Sequence, residues 1–137
     1  MHRLWLVSLF TLFVSGCASP LPPHDPQMAW VDLSGQTTDV FMSDRLDGKR
    51  TYDGRYFQVP PGAHELEARY DFEVSSGGFG LFGETQTMRC TLVVNYDNFE
   101  AGKRYLFQAR SMGFTPQGWL RDEQRNVLVR AEAEHCH

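Results

Sequence analysis

The sequence predicts an all-β protein, a sandwich or barrel built from about seven to eight short antiparallel strands. Three observations lead there. Apolar and polar residues alternate with period two over long stretches. Turn dipeptides recur between those stretches at regular spacing. No segment shows the three-to-four-residue apolar repeat of an amphipathic helix. A chain of 137 residues has room for one such domain.

Met28 to Leu33 reads as a short apolar strand, Ser34-Gly35 as a turn, and Thr37 to Arg45 as a second strand with Val40 and Met42 on one face. Asp47-Gly48 and Asp53-Gly54 are turn signals of the kind used in tight hairpins. Tyr56 to Val59 is a strand stopped by Pro60-Pro61-Gly62, where proline followed by glycine suits a type II turn. The clearest strand runs from Ala63 to Val74. His64, Leu66, Ala68, Tyr70, Phe72 and Val74 share one face, while Glu65, Glu67, Arg69, Asp71 and Glu73 share the other. One face on a core and one in water produces this alternation, and a helix would mix the two sets. Thr85 to Tyr96 repeats it, with Met88, Cys90, Leu92, Val94 and Tyr96 aligned. Arg104 to Ser111 aligns Tyr105, Phe107 and Ala109, and Gly118 to Arg121 with Asn126 to Ala131 reads as a final hairpin. Trp30, Phe57, Tyr70, Phe72, Phe107 and Trp119 are the expected large pieces of the core.

The first 16 residues differ in kind from the rest. Arg3 gives a weakly basic start, and Leu4 to Val14 is almost wholly apolar. Eleven residues are too few to cross a bilayer as a helix, which takes about 20. A basic start, a short apolar run and small residues ahead of a cut make a signal peptide over 1–16. At its end, Val14-Ser15-Gly16-Cys17 resembles the lipobox of bacterial lipoproteins. The resemblance implies cleavage before Cys17, a diacylglycerol on its thiol and a third acyl chain on its new amino group. Several acyl chains on one residue anchor firmly, at about 0.8 kcal/mol per buried CH₂. Ala18 and Ser19 follow, without the Asp that resembles the inner-membrane retention signal, so the implied location is the outer membrane of the cell envelope, facing the periplasm. The alternative is an ordinary secretory signal with an incidental cysteine.

Residues 17–27 form the expected tether. Ser19 to Gln27 holds four prolines in nine residues, which excludes helix and favours polyproline II. At about 3.1 Å per residue this tether would span roughly 28 Å. The domain is expected over 28–137. Without Arg3 the chain carries 12 basic and 17 acidic side chains, a formal charge of −5. That argues against a nucleic-acid partner, which usually meets a basic face. Cys90 and Cys136 remain beyond Cys17, and an oxidising compartment suggests their disulfide. Two free thiols are the alternative.

Pro61-Gly62-Ala63-His64-Glu65-Leu66, Tyr70 and Ala101-Gly102-Lys103-Arg104-Tyr105 form a second pattern. It resembles small Gram-negative lipoproteins of unknown function and PEGA-type modules, over residues 56–131. The resemblance implies an immunoglobulin-like sandwich. It implies no particular activity, because function is not fixed by fold.

Reactive motifs are sparse. Gly78-Phe79-Gly80-Leu81-Phe82-Gly83 spells the dinucleotide-binding G-x-G-x-x-G, but a strand follows where a helix must open. Phe79, Leu81 and Phe82 then make a contact loop for a partner or membrane, or fold over the open end of the sandwich. His64-Glu65-Leu66-Glu67-Ala68 begins like the zinc-protease motif, but Ala68 replaces the second His and a strand lacks the helical geometry. His64 is instead expected to bond to a nearby turn. His135-Cys136-His137 offers ligands in a spacing that matches no common metal site. The carboxylates Glu65, Glu67, Asp71 and Glu73 read as a solubilising face. No catalytic residue, metal or cofactor is assigned. The expectation is a non-enzymatic interaction or structural module. Its rivals are a glycan-binding module using Trp119, Tyr52, Tyr56 and Phe114, and a small hydrolase with a nucleophile or metal beside a base.

Overall fold

The structure, a computed structural model, describes Gly16, residues 19–75 and residues 85–137. These residues form ten strands and no helix. In chain order they are β1 (Ala29–Ser34), β2 (Val40–Leu46), β3 (Lys49–Arg50), β4 (Tyr56–Val59), β5 (Gly62–Ser75), β6 (Thr85–Phe99), β7 (Arg104–Met112), β8 (Thr115–Arg121), β9 (Val127–Arg130) and β10 (Glu132–Glu134). They make two five-stranded sheets, β4-β1-β7-β8-β9 and β10-β6-β5-β2-β3. Side chains from both sheets fill one core, so the architecture is a β-sandwich.

The alternation read in β5 and β6 becomes the second sheet's inner face. Leu66, Ala68, Tyr70, Phe72 and Val74 are buried opposite Cys90, Leu92 and Val94 of the neighbouring strand. From the first sheet come Ala29, Val31, Phe57, Val59, Tyr105, Phe107, Ala109 and Leu120. The sheets approach closely at Gly118, where a Cβ would stand 3.0 Å from Ala131, 3.1 Å from Leu92 and 3.2 Å from Phe107. A side chain there would require Ala131, Leu92 and Phe107 to give way by a few tenths of an ångström.

Three expectations change. The strands number ten because two short ones carry no core signal. β3 is the return of a tight hairpin, and β10 begins where the chain leaves β9, crosses at Ala131 and joins the other sheet beside β6. The strands are not all antiparallel, since β1 pairs with β7 in parallel, Trp30 opposite Arg104 through Ser34 opposite Gln108. Trp119 lies outside the core: Gly118 and Leu120 are buried and point inward, so the residue between them points out. Phe99, 1% exposed, is the large ring that the core holds instead.

One hairpin turn holds as read and one does not: Asp53-Gly54 closes no hairpin, because the chain there passes from β3 in one sheet to β4 in the other. Asp47 and Gly48 have φ of 50° and 79°, the two positive values of a type I′ hairpin. Cys90 and Cys136 form a disulfide. It sits beside β10, whose Glu132, Ala133 and Glu134 pair with Val93, Leu92 and Thr91. Past it, Arg89 and His137 exchange backbone hydrogen bonds of 2.9 and 3.0 Å. The C-terminal tail thus protects part of the β6 edge, which would otherwise expose unpaired backbone.

Residues 19–27 hold no helix or strand and are fastened to the domain. The carbonyl of Ser19 accepts a 2.8 Å hydrogen bond from Arg55. His24 bonds to the carbonyl of Met28 at 2.7 Å, and its ring lies 5.9 Å from that of Trp30. Gly102 in turn donates to Met28, seating the start of β1 against the β6–β7 turn.

Candidate functional site: a tryptophan ringed by arginines

Outward residues of the first sheet carry two aromatic clusters. Strand geometry explains both, because residues two apart on one strand, and those opposite on its neighbour, share a face. In the first cluster, Trp30 of β1 stacks on Tyr56 of β4, with centroids 4.4 Å apart and planes 12° from parallel. The Arg104 guanidinium lies 5.3 Å from the Trp30 ring centre. Asp32 closes the group, accepting from the Trp30 indole at 2.8 Å and from Arg104 at 3.1 Å. Trp30 is only 2% exposed, and its cation is matched by Asp32.

The second cluster is open. Trp119 on β8 lies opposite Gln108 of β7 and Arg130 of β9. Three guanidiniums surround its ring, Arg110 at 5.6 Å, Arg121 at 5.8 Å and Arg130 at 6.0 Å from the centre. Arg121 donates to Gln108 Oε1 at 3.0 Å and to the carbonyl of Arg125 at 3.0 Å. Arg110 reaches only the Met112 sulfur, at 3.5 Å. Among the described residues, none of the three pairs with a carboxylate within 4.0 Å. Beside the ring, Thr115, Pro116, Gln117, Trp119, Arg130 and Ala131 line a shallow depression of about 250 Å³. Each guanidinium over an indole contributes about 0.5–1 kcal/mol at an exposed site, so the cluster holds its shape without a ligand. It also presents fixed donors to anything anionic that approaches.

The second sheet has the opposite character. Glu65, Glu67, Asp71 and Glu73 stand on its outer face, but Asp71 is buried, 6% exposed. Burial works to raise its pKa, yet Arg69 and Arg89, with bonds of 2.6 and 3.0 Å, hold it below the usual carboxylate value. It is a structural clamp and not a proton donor.

His64 and Asp47 form the one close imidazole–carboxylate pair among the described residues. His64 Nδ1 lies 2.5 Å from Asp47 Oδ2. The other Asp47 oxygen accepts the Glu65 amide at 2.9 Å, and this bond, before that to His64, lowers the Asp47 pKa. His64 Nε2 faces the carbonyl of Pro61 at 3.4 Å, where a nucleophile's hydroxyl or thiol would need to be. The pair therefore ties the β2–β3 turn to β5, as expected for a histidine bonded to a turn.

The four rings proposed for sugar stacking do not form one platform. Tyr56 has one face on Trp30, and Trp119 belongs to a separate cluster with three arginines, with none of the other three rings stacked on it. Tyr52 and Phe114 are exposed, at 103% and 55%. At the C-terminus the Cys136 sulfur is engaged in the disulfide, and His137 Nδ1 lies 3.1 Å from the carbonyl of His135. Cys17 and the loop residues Phe79, Leu81 and Phe82 lie outside the described residues.

Sequence reading singled out Trp119 but not its arginines. Arg110, Arg121 and Arg130 sit on three strands, and only the register brings them together. No family model matches the chain, and no curated protein or solved structure matches it either. The functional reading accordingly rests on the chain's own residues.

Proposed function

We propose that this protein is a lipid-anchored component of the cell envelope, held by acyl chains on Cys17 at the periplasmic side of an outer membrane. Its sandwich, immunoglobulin-like in class, serves as a non-enzymatic interaction or structural module. The observation that carries the reading is Val14-Ser15-Gly16-Cys17 standing where the apolar run ends. The Cys90–Cys136 disulfide supports it, since such bonds persist in oxidising compartments outside the cytosol. The non-enzymatic part is supported by the engagement of the reactive groups: Asp71 is clamped by two arginines and His64 faces a backbone carbonyl.

Replacing Cys17 with Ser tests this. Wild-type protein is expected to incorporate labelled fatty acid and to sediment with outer membranes. The C17S chain should take up no label and leave the membrane fraction. A C17S chain that is processed and sediments as before would overturn the proposal.

A further inference from the structure

We infer that the outer face of the first sheet, centred on Trp119, Arg110, Arg121 and Arg130, binds an acidic glycan, a sugar chain bearing carboxylate or phosphate groups. This goes beyond lipid anchoring and does not depend on the fate of Cys17.

The argument rests on the contrast between the two aromatic clusters of this sheet. Around Trp30 the cation is matched, because Asp32 bonds to Arg104 at 3.1 Å and to the indole N–H at 2.8 Å. Around Trp119 three cations share one ring, and no carboxylate among the described residues lies within 4.0 Å of them. The Trp119 indole N–H likewise has no acceptor among the described residues, whereas that of Trp30 has one. This cationic patch belongs to a chain whose formal charge is −4. Arg110 and Arg130 supply planar, paired donors that match carboxylate and phosphate oxygens, while Arg121, held by Gln108 and the Arg125 carbonyl, adds its charge. An indole supplies an apolar face for the C–H side of a sugar ring, and its N–H a donor at the rim.

The shape narrows the ligand further. The depression beside Trp119 is about 250 Å³ and open, smaller than the roughly 300–1,000 Å³ that enclose a small molecule. A shallow site on a flat sheet suits one residue of a long chain, bound weakly and repeatedly. Gln108 and Gln117, on the same face, add neutral hydrogen-bonding groups next to the cations.

The test uses the full chain in nonionic detergent. Co-sedimentation with purified sacculi supplies the carboxylate-bearing glycan. Competition by a lipid-free, phosphate-bearing core oligosaccharide supplies the other source. An uncharged glucan of similar length is the control. Binding to at least one acidic glycan is expected, weakening as salt rises, with whichever arm binds naming the source. Arg110→Gln and Arg130→Gln should each weaken it about tenfold, the loss of one charge-assisted hydrogen bond. Both positions are exposed, so both variants should melt like the parent. Trp119→Ala should abolish binding, and Trp119→Phe should restore part of it. Absence of binding to both acidic glycans would overturn the inference. So would equal binding to the uncharged glucan, or binding untouched by the arginine variants.

Discussion

Replacing Cys136 with Ser should cost this domain about 4 kcal/mol, by the chain-entropy argument for a loop of this length. The two cysteines are 46 residues apart in sequence, so the crosslink removes a large part of the unfolded chain's freedom. Cys136 is the better position to change. It is exposed, whereas Cys90 is 1% exposed within the core and remains in the variant as a small, buried apolar side chain. Thermal midpoints of domains near this size move by about 3–5 °C per kcal/mol, so Tm should fall by about 12–20 °C. Circular dichroism melts of the parent with and without reductant, and of C136S, measure this. The reduced parent and the variant should agree. Hydrogen exchange adds a local readout: the β6 amides paired with β10 should lose protection first, because β10 itself buries nothing. A fall below about 3 °C on reduction would refute the reasoning. It would mean that the tail holds its place by pairing alone, or that the unfolded chain is already compact.

Two further predictions follow from packing and charge. Gly118→Val should destabilise the fold by about 1–3 kcal/mol, read by urea denaturation, since its side chain would collide with Leu92, Phe107 and Ala131. Asp71→Asn should cost about 1–3 kcal/mol at neutral pH, a buried-pair loss discounted because Arg69 and Arg89 are nearly half exposed. The Asp71 pKa is lowered in the folded state, so its contribution is present above the unfolded carboxyl value near 4 and is lost as pH falls through the folded one. The parent's advantage over the variant should therefore be full at pH 6 and shrink below about pH 4. An advantage constant down to pH 2 would contradict the ion-pair assignment.

How much of this was legible beforehand depends on what each residue reports. β5 and β6 were readable because one buried face writes itself into sequence as period two. Asp47-Gly48 was readable because few dipeptides accept two positive φ values. β10 was not, since Glu132, Ala133 and Glu134 are all exposed and their pairing follows from the chain's crossing at Ala131 and the nearby disulfide. The parallel pairing of β1 with β7 joins segments over 70 residues apart, and no local turn encodes it. Size alone places Trp119 in the core. Its neighbours Gly118 and Leu120 held the contrary information, because inward residues on both sides turn the ring outward. The arginine ring needed register across three strands. Aligning Tyr105, Phe107 and Ala109 inward already implied that Arg104 and Arg110 point out, but not which rings they meet.

The bond between Arg55 and the Ser19 carbonyl has a mechanical consequence. A leash clipped to the body at Ser19 leaves one residue between that clip and the acylated cysteine proposed above. The domain would then ride low, with the Arg55 corner against the lipid headgroups, and would turn as a rigid post does and not swing as a tethered float does. Cutting that clip, for instance with Arg55→Ala, would lengthen the molecule's reach without altering a single core contact.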